Sequence, residues 1–119
     1  MRFGNIKDFI THVIYATDKD IASRPDDLRK FVKAWFETIR YMRTHKTDTV
    51  KIAAAVMHKD LQISGEVYDQ LMPMFTDSGE FPPKAMATLA KSWVELGTLK
   101  QAPDTKTLYT EKFLPKEKR

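Results

Sequence analysis

The sequence has 119 residues, of which 42% are hydrophobic and 30% are charged, with four glycines and no cysteine. This composition is typical of a folded globular domain and excludes fibrous and disulfide-stapled proteins and cysteine-ligated metal sites. Half of the formal charge of +4 comes from the last four residues, and elsewhere the acids are interleaved with the bases. The strongly basic surface typical of nucleic-acid-binding proteins is therefore not indicated.

Residues 9–16 predict a β-strand. The stretch FITHVIYA contains a run of β-branched and aromatic side chains, and the turn formers Thr17 and Asp18 follow it. A lone strand leaves its backbone donors and acceptors unpaired, and we identify no second strand in the sequence. We therefore expect this strand to pair with sequence outside the chain.

The segment that begins at Pro25 predicts the first long helix. Proline suits the first helical position, and the acids Asp26 and Asp27 complement the positive end of a helix. Apolar residues then recur at spacings of three and four, which lays one wide apolar stripe along the helix. The stripe consists of Leu28, Phe31, Val32, Trp35, Phe36, Ile39 and Met42, and the opposite face carries Arg29, Lys30, Lys33, Glu37, Arg40 and Arg43.

Three further helices are predicted. The first runs over residues 48–57 with Asp48 as its N-cap, and the next starts near Ser64, whose hydroxyl can cap it. Pro73 should cut or kink the last turn of that helix. The final helix starts with prolines after a tight turn at Gly79 and ends at Gly97, which is a typical C-terminal cap.

Residues capable of catalysis are present but lack a catalytic arrangement. His12, His45 and His58 do not show the spacing that places two imidazoles on one metal ion. The acid pairs near Pro25 and Lys19 are explained by turns and helix starts. Glycine-rich phosphate loops and hydrolase motifs are also missing. We therefore predict a protein that is not an enzyme and has no cofactor or metal.

Four stretches in a fixed order carry a resemblance to a known family. They are TDKDI at 17–21, RPDDLRKFVKAWFETIRYM at 24–42, FTDSGEFPPKAMATLAKSWVELGTL at 75–99 and PDTKTLYTEKFLP at 103–115. In this succession the chain resembles, over about residues 9–115, the C-terminal part of ABC-transporter substrate-binding proteins. The family is that of the nitrate/sulfonate/taurine and thiamine-precursor (NMT1/THI5-like) binding proteins.

The resemblance implies a fold and a division of the chain. It implies a C-terminal fragment of a type II periplasmic-binding-protein α/β fold, mainly α with one short N-terminal β-strand. Residues 1–119 would form a single partial domain, with a hinge-like strand at 9–16 and helices over 25–97. A C-terminal clamp segment would occupy 98–115, before a solvated tail at 116–119.

The resemblance also implies a function. Members of the family close two lobes over a small solute and deliver it to an ABC permease in the membrane. The complete parent would therefore be a periplasmic, non-catalytic binding protein, although this chain shows no signal peptide. The only site residues that we predict are Thr11, His12 and Tyr15, because a hinge strand borders the solute cleft.

Other expectations concern partners. A piece that has lost its sheet exposes apolar surface, so we expect a homo-oligomer or a strand-swapped dimer. We expect no nucleic-acid partner and no membrane insertion. Two alternatives remain: a self-contained α-helical protein-interaction module, and a small basic nucleic-acid-binding domain that uses the bases of the first long helix.

Overall fold

The computed structural model describes residue 10 and residues 12–116 of the chain. In this part the chain forms five α-helices, which are α1 (Asp18–Ser23), α2 (Pro25–Thr44), α3 (Lys46–Met57), α4 (Leu61–Leu71) and α5 (Pro83–Glu95). Short 3₁₀ turns follow α4 at Met72–Met74 and occur again at Thr105–Thr107. The prediction of a mainly α-helical fold is confirmed.

The predicted N-terminal β-strand is wrong for the residues that the structure describes. Residues 10 and 12–16 have no regular secondary structure, and no described residue lies in a strand. A β-branched run forms a strand only where another strand accepts its backbone hydrogen bonds, and the described part of the chain offers none. Phe9 and Thr11, the other residues of the prediction, lie outside the described residues.

The polar stretch after this segment forms α1, which the sequence analysis did not predict. Thr17 is its N-cap, and the Thr17 hydroxyl accepts a hydrogen bond of 3.1 Å from the backbone N–H of Asp20. The helix has only six residues and buries none of them. Its sequence signal was a threonine followed three residues later by an acid, which is a variant of the capping box.

Helix α2 begins as predicted, but only some of the residues in its apolar stripe are buried. Pro25 is its first residue, and acids occupy its first turn. Of the seven stripe residues, only Phe36 and Ile39 are buried. Phe31 and Trp35 on the flank of the stripe remain exposed. The sequence therefore predicted the helix correctly but not how much of it would be covered.

The starts of α3 and α4 differ from their predictions. Helix α3 begins at Lys46 rather than after Asp48, and His45 precedes it as the shared cap of α2 and α3. Asp60 caps α4, where its carboxylate accepts from the backbone N–H groups of Gln62 and Ile63. Ser64 instead lies inside α4 and is 2% exposed. An aspartate at an N-cap satisfies two free amides at once, so the helix starts a full turn earlier.

Both proline-related predictions for the second half of the chain are confirmed. Helix α4 gives way to a 3₁₀ turn that contains Pro73, and Pro83 is the first residue of α5. At the other end of α5, Gly97 has a φ of 72°. The N–H groups of Gly97 and Thr98 bond to the carbonyls of Val94 and Trp93, which is the Schellman pattern.

The buried apolar side chains of the core come from α2, α3, α5, the turn after α4 and the end of the chain. They are Phe36, Ile39, Ala54, Met72, Ala85, Met86, Ala90 and Phe113. Gly79 in the turn before α5 approaches α2 so closely that a Cβ atom there would lie 2.2 Å from Phe36 Cζ. The turn therefore packs directly against the Phe36 ring of α2.

Residues 103–115, which we call the closing segment, pack on this core at their C-terminal end. Phe113 is buried, and the guanidinium carbon of Arg29 lies 5.7 Å from its ring centroid. Leu114 lies close enough to Gly79 to contact a Cβ atom there at 2.8 Å. Leu108, by contrast, is about half exposed. The aromatic and aliphatic residues at the end of this segment thus complete the core.

The chain is open for its size. Its accessible surface is 9858 Å², whereas a compact monomer of 13.8 kDa is expected to expose about 6,600 Å². The radius of gyration is 16.8 Å, compared with about 13.5 Å for a compact domain of this length. Both values are larger than those expected for a compact monomer of this mass and length.

Candidate interaction surface

Two of the three residues predicted to bind a solute lie in the described part of the chain. His12 and Tyr15 are exposed in the irregular segment before α1, and Tyr15 is 91% exposed. Thr11 lies outside the described residues, and the solute site stays a prediction.

The other two histidines lie at helix ends, as expected. The His45 ring stacks on Tyr41 with 4.0 Å between the centroids, and its Nδ1 lies 3.0 Å from the Tyr41 carbonyl oxygen. His58 ends α3 in the left-handed region with a φ of 51°. Among the described residues, no group of three or more potential ligands could hold a metal ion.

The most distinctive feature of the surface is uncovered apolar side chains on three consecutive helices. On α2, the Phe31 and Trp35 rings stack with 6.3 Å between their centroids, and they are 53% and 42% exposed. They lie one helical turn apart and extend the apolar stripe beyond Phe36 and Ile39. Large aromatic side chains that remain exposed to solvent are typical of surfaces that contact another molecule.

Helices α3 and α4 also present apolar residues to solvent. Ile52 and Val56 are spaced four residues apart on α3 and are 60% and 73% exposed. On α4, Ile63 and Val67 have the same spacing and are also exposed. Each pair forms a short apolar ridge along its helix. We use the name open apolar surface for the residues Phe31, Trp35, Ile52, Val56, Ile63 and Val67.

Two ion pairs join different elements of this part of the chain. Lys46 at the start of α3 donates to Asp69 near the end of α4 at 2.6 Å. Arg43 near the end of α2 bonds both the Asp77 carboxylate, at 2.9 Å, and the Phe75 carbonyl. Because these side chains are well exposed, each pair contributes at most about 1 kcal/mol to stability, and their main role is to fix geometry.

A third long-range contact anchors α4 to α2. The Tyr68 hydroxyl donates to the Met42 carbonyl oxygen at 2.6 Å, and the Lys46 amine lies 5.5 Å from the Tyr68 ring centroid. Between α3 and α4 the small residues Ala54 and Ser64 are buried, which lets the helices approach closely. The three helices α2 to α4 therefore form one connected layer.

The basic face of α2 is largely neutralised. Arg29 pairs with Asp26 at 2.8 Å, Lys33 approaches Glu37 at 3.8 Å, and Arg43 pairs with Asp77. Three of the five bases that a nucleic-acid-binding surface would use therefore already face carboxylates. This pairing lowers the positive potential that attracts phosphates.

Comparisons with protein-family models, curated proteins and solved structures find no match to this chain. Within the described residues, none of the helices combines the length and the apolar character needed to cross a bilayer.

Sequence reasoning missed which apolar residues would be left uncovered. Phe31 and Trp35 belong to the same pattern of three- and four-residue spacings as the buried Phe36 and Ile39, so periodicity assigns all four to one stripe. The width of this stripe was the available signal, because a helix that packs on one neighbour covers only part of a broad apolar face.

Proposed function

We propose that this chain is the helical part of one lobe of a solute-binding protein of an ABC importer. The observation that supports this proposal best is the open apolar surface, whose large apolar side chains remain exposed on three consecutive helices. The order of sequence stretches that resembles the nitrate/sulfonate/taurine and thiamine-precursor family supports it independently.

The physical reason lies in how α/β lobes are built. In such lobes, helices pack their apolar faces on a largely parallel sheet that is covered on both sides. A helical layer without its sheet must expose the stripe that the sheet would cover. The half-exposed Phe31 and Trp35 beside the buried Phe36 and Ile39 fit this arrangement.

In this proposal the complete protein binds and does not catalyse. Two lobes close around a small solute because the solute has a higher affinity for the closed state. The loaded protein then presents the solute to a membrane permease from the periplasm. The contribution of this chain would be to support one lobe, with its closing segment fastened on the outside of that lobe.

Fragment complementation tests the proposal. A taurine- or nitrate-binding protein would be truncated before the segment that this chain resembles, and the truncated piece would be co-expressed with this chain. We expect a one-to-one complex that binds the solute by calorimetry. The positive control is the same truncated piece with its own C-terminal segment.

Two variants sharpen this experiment. Trp35→Glu places a charge on the open apolar surface and should abolish the complex, whereas Leu96→Glu, at an exposed site after α5 that is not part of this surface, should leave it intact. The proposal fails if the control pair assembles and this chain does not, or if Trp35→Glu has no effect on a complex that does form.

The second candidate is a self-contained helical module that binds another protein. The observation in its favour is that side chains of α2, α5 and the closing segment are buried although no described residue lies in a strand. Its signature is cooperative unfolding as a monomer by circular dichroism and sedimentation. Complementation of a truncated binding protein would decide against this candidate.

A further inference from the structure

A notch lies between the turn that precedes α5 and the closing segment. Its volume is about 430 Å³, which is within the range of small-molecule sites. The residues that line it are Glu80, Phe81, Pro82, Pro83, Tyr109 and Glu111. None of them belongs to the open apolar surface or to the predicted solute site.

Aromatic rings and prolines form the body of the notch. The Phe81 and Tyr109 rings are half-buried and lie 4.5 Å apart between centroids, tilted by 32°. The Phe81 backbone N–H donates to Glu111 Oε1 at 2.8 Å. This bond ties the closing segment to the turn, so the rings and one carboxylate are held in fixed relation to each other before any ligand arrives.

The charged residues among those that line the notch are two glutamates, Glu80 and Glu111. Among the described residues, no basic side chain forms an ion pair with Glu80 or Glu111. Lys112 is the next residue after Glu111, but its amine lies over the Phe113 ring, 4.9 Å from the centroid. The faces of the two lining rings are also electron-rich.

We propose that this notch binds an organic cation, namely an ammonium group that carries apolar substituents. The aromatic faces attract a cation through their quadrupole, and the two carboxylates add charge attraction. Pro82 and Pro83 provide rigid apolar contact for the alkyl groups. Inorganic and sulfonate anions are repelled by the same carboxylates, so this site is distinct from any cleft for anionic solutes.

An NMR titration of the chain with tetramethylammonium chloride tests the proposal, with sodium chloride at equal ionic strength as the reference. We expect saturable shifts of the amides of Phe81, Tyr109 and Glu111 with a millimolar Kd, since the ligand has few atoms.

Variants connect the shifts to the notch. Glu80→Gln, Glu111→Gln and Tyr109→Leu should each weaken binding by about two- to five-fold. Glutamine can still accept the Phe81 N–H bond, so the Glu111→Gln variant keeps the anchor. Glu66→Gln, at an exposed acid on α4, is the matched control and should leave the Kd unchanged.

Three results would overturn the proposal. The first is the absence of any shift beyond the sodium chloride reference at tenfold the expected Kd. The second is binding that Glu80→Gln and Glu111→Gln leave unchanged in variants whose remaining spectrum matches the parent. The third is an equal response of the control variant Glu66→Gln. None of these results depends on the fragment-complementation experiment.

Discussion

At the scale of single residues, Gly79 is the position least tolerant of change. Its φ of 73° is unfavourable for any side chain, and a Cβ atom would lie 2.2 Å from Phe36 Cζ. We expect Gly79→Ala to lower the free energy of unfolding by about 2–5 kcal/mol, because backbone strain and a core clash add together. Urea denaturation followed by circular dichroism measures this change.

Gly97 provides the matched control for Gly79. Its φ of 72° is almost the same, but nothing lies within 4 Å of the place where its Cβ would be. Gly97→Ala should therefore lower the free energy of unfolding only through backbone strain, by about 1–2 kcal/mol. Equal losses at the two glycines would show that the contact with Phe36 does not constrain the turn.

His58 is the opposite case, a residue whose replacement should stabilise the chain. It holds the left-handed conformation that ends α3, with a φ of 51°. His58→Gly should raise the free energy of unfolding by about 0.5–1 kcal/mol, because glycine adopts this conformation without strain. His45→Gly, where φ is −126°, should give no gain in the same thermal unfolding measurement.

At the scale of elements, the start of α4 distinguishes the observed cap from the predicted one. Asp60→Ala removes the side chain that accepts from two amides and should destabilise the protein by about 1 kcal/mol. Ser64 Oγ is buried without a hydrogen-bond partner among the described residues. Ser64→Ala should therefore be neutral or stabilising by up to about 1 kcal/mol.

These two variants have opposite expected signs, which makes the comparison informative. Chemical denaturation of both under one set of conditions is sufficient. If Ser64→Ala were the more damaging change, α4 would start near residue 64 as the sequence first suggested, and the cap at Asp60 would be wrong.

Periodicity and proline positions made most of the helices predictable. Pro25 and Pro83 set the starts of α2 and α5, Pro73 ended α4, and Gly97 closed α5. The starts of α3 and α4 were less predictable because several polar residues near each start could cap, and only the packed chain selects among them. Residues 10 and 12–16 do not form the predicted strand, because strand formation requires a neighbouring strand for hydrogen bonding and not β-propensity alone.

At the scale of the whole molecule, the closing segment decides whether the core is complete. Phe113 is buried in it, and Leu108 in the same segment is half exposed. We expect Phe113→Ala to lower the free energy of unfolding by about 3 kcal/mol, and Leu108→Ala to lower it by about 0.5 kcal/mol. Similar effects from both substitutions in urea denaturation would mean that the segment is not part of the core.

The open apolar surface leads to a prediction about assembly. We expect the isolated chain to self-associate in sedimentation velocity runs, because the surface that it exposes is large and apolar. Trp35→Glu should shift the chain toward monomer, and Leu96→Glu should not, although Leu96 is more exposed. A parent chain that is monomeric at high concentration would contradict the prediction.

The sequence alone was sufficient to predict a mainly helical fold and the amphipathic stripe of α2. It was also sufficient to predict the helix starts at Pro25 and Pro83 and the helix end at Gly97. These features depend on residues within a few positions of each other, so local physics is sufficient to predict them. Three features became known only from the tertiary structure. Phe113 is buried whereas Leu108 is half exposed, and Gly79 packs closely against Phe36. Phe31 and Trp35 remain exposed to solvent. Burial depends on contacts between residues far apart in the chain, which the spacing along a helix does not specify.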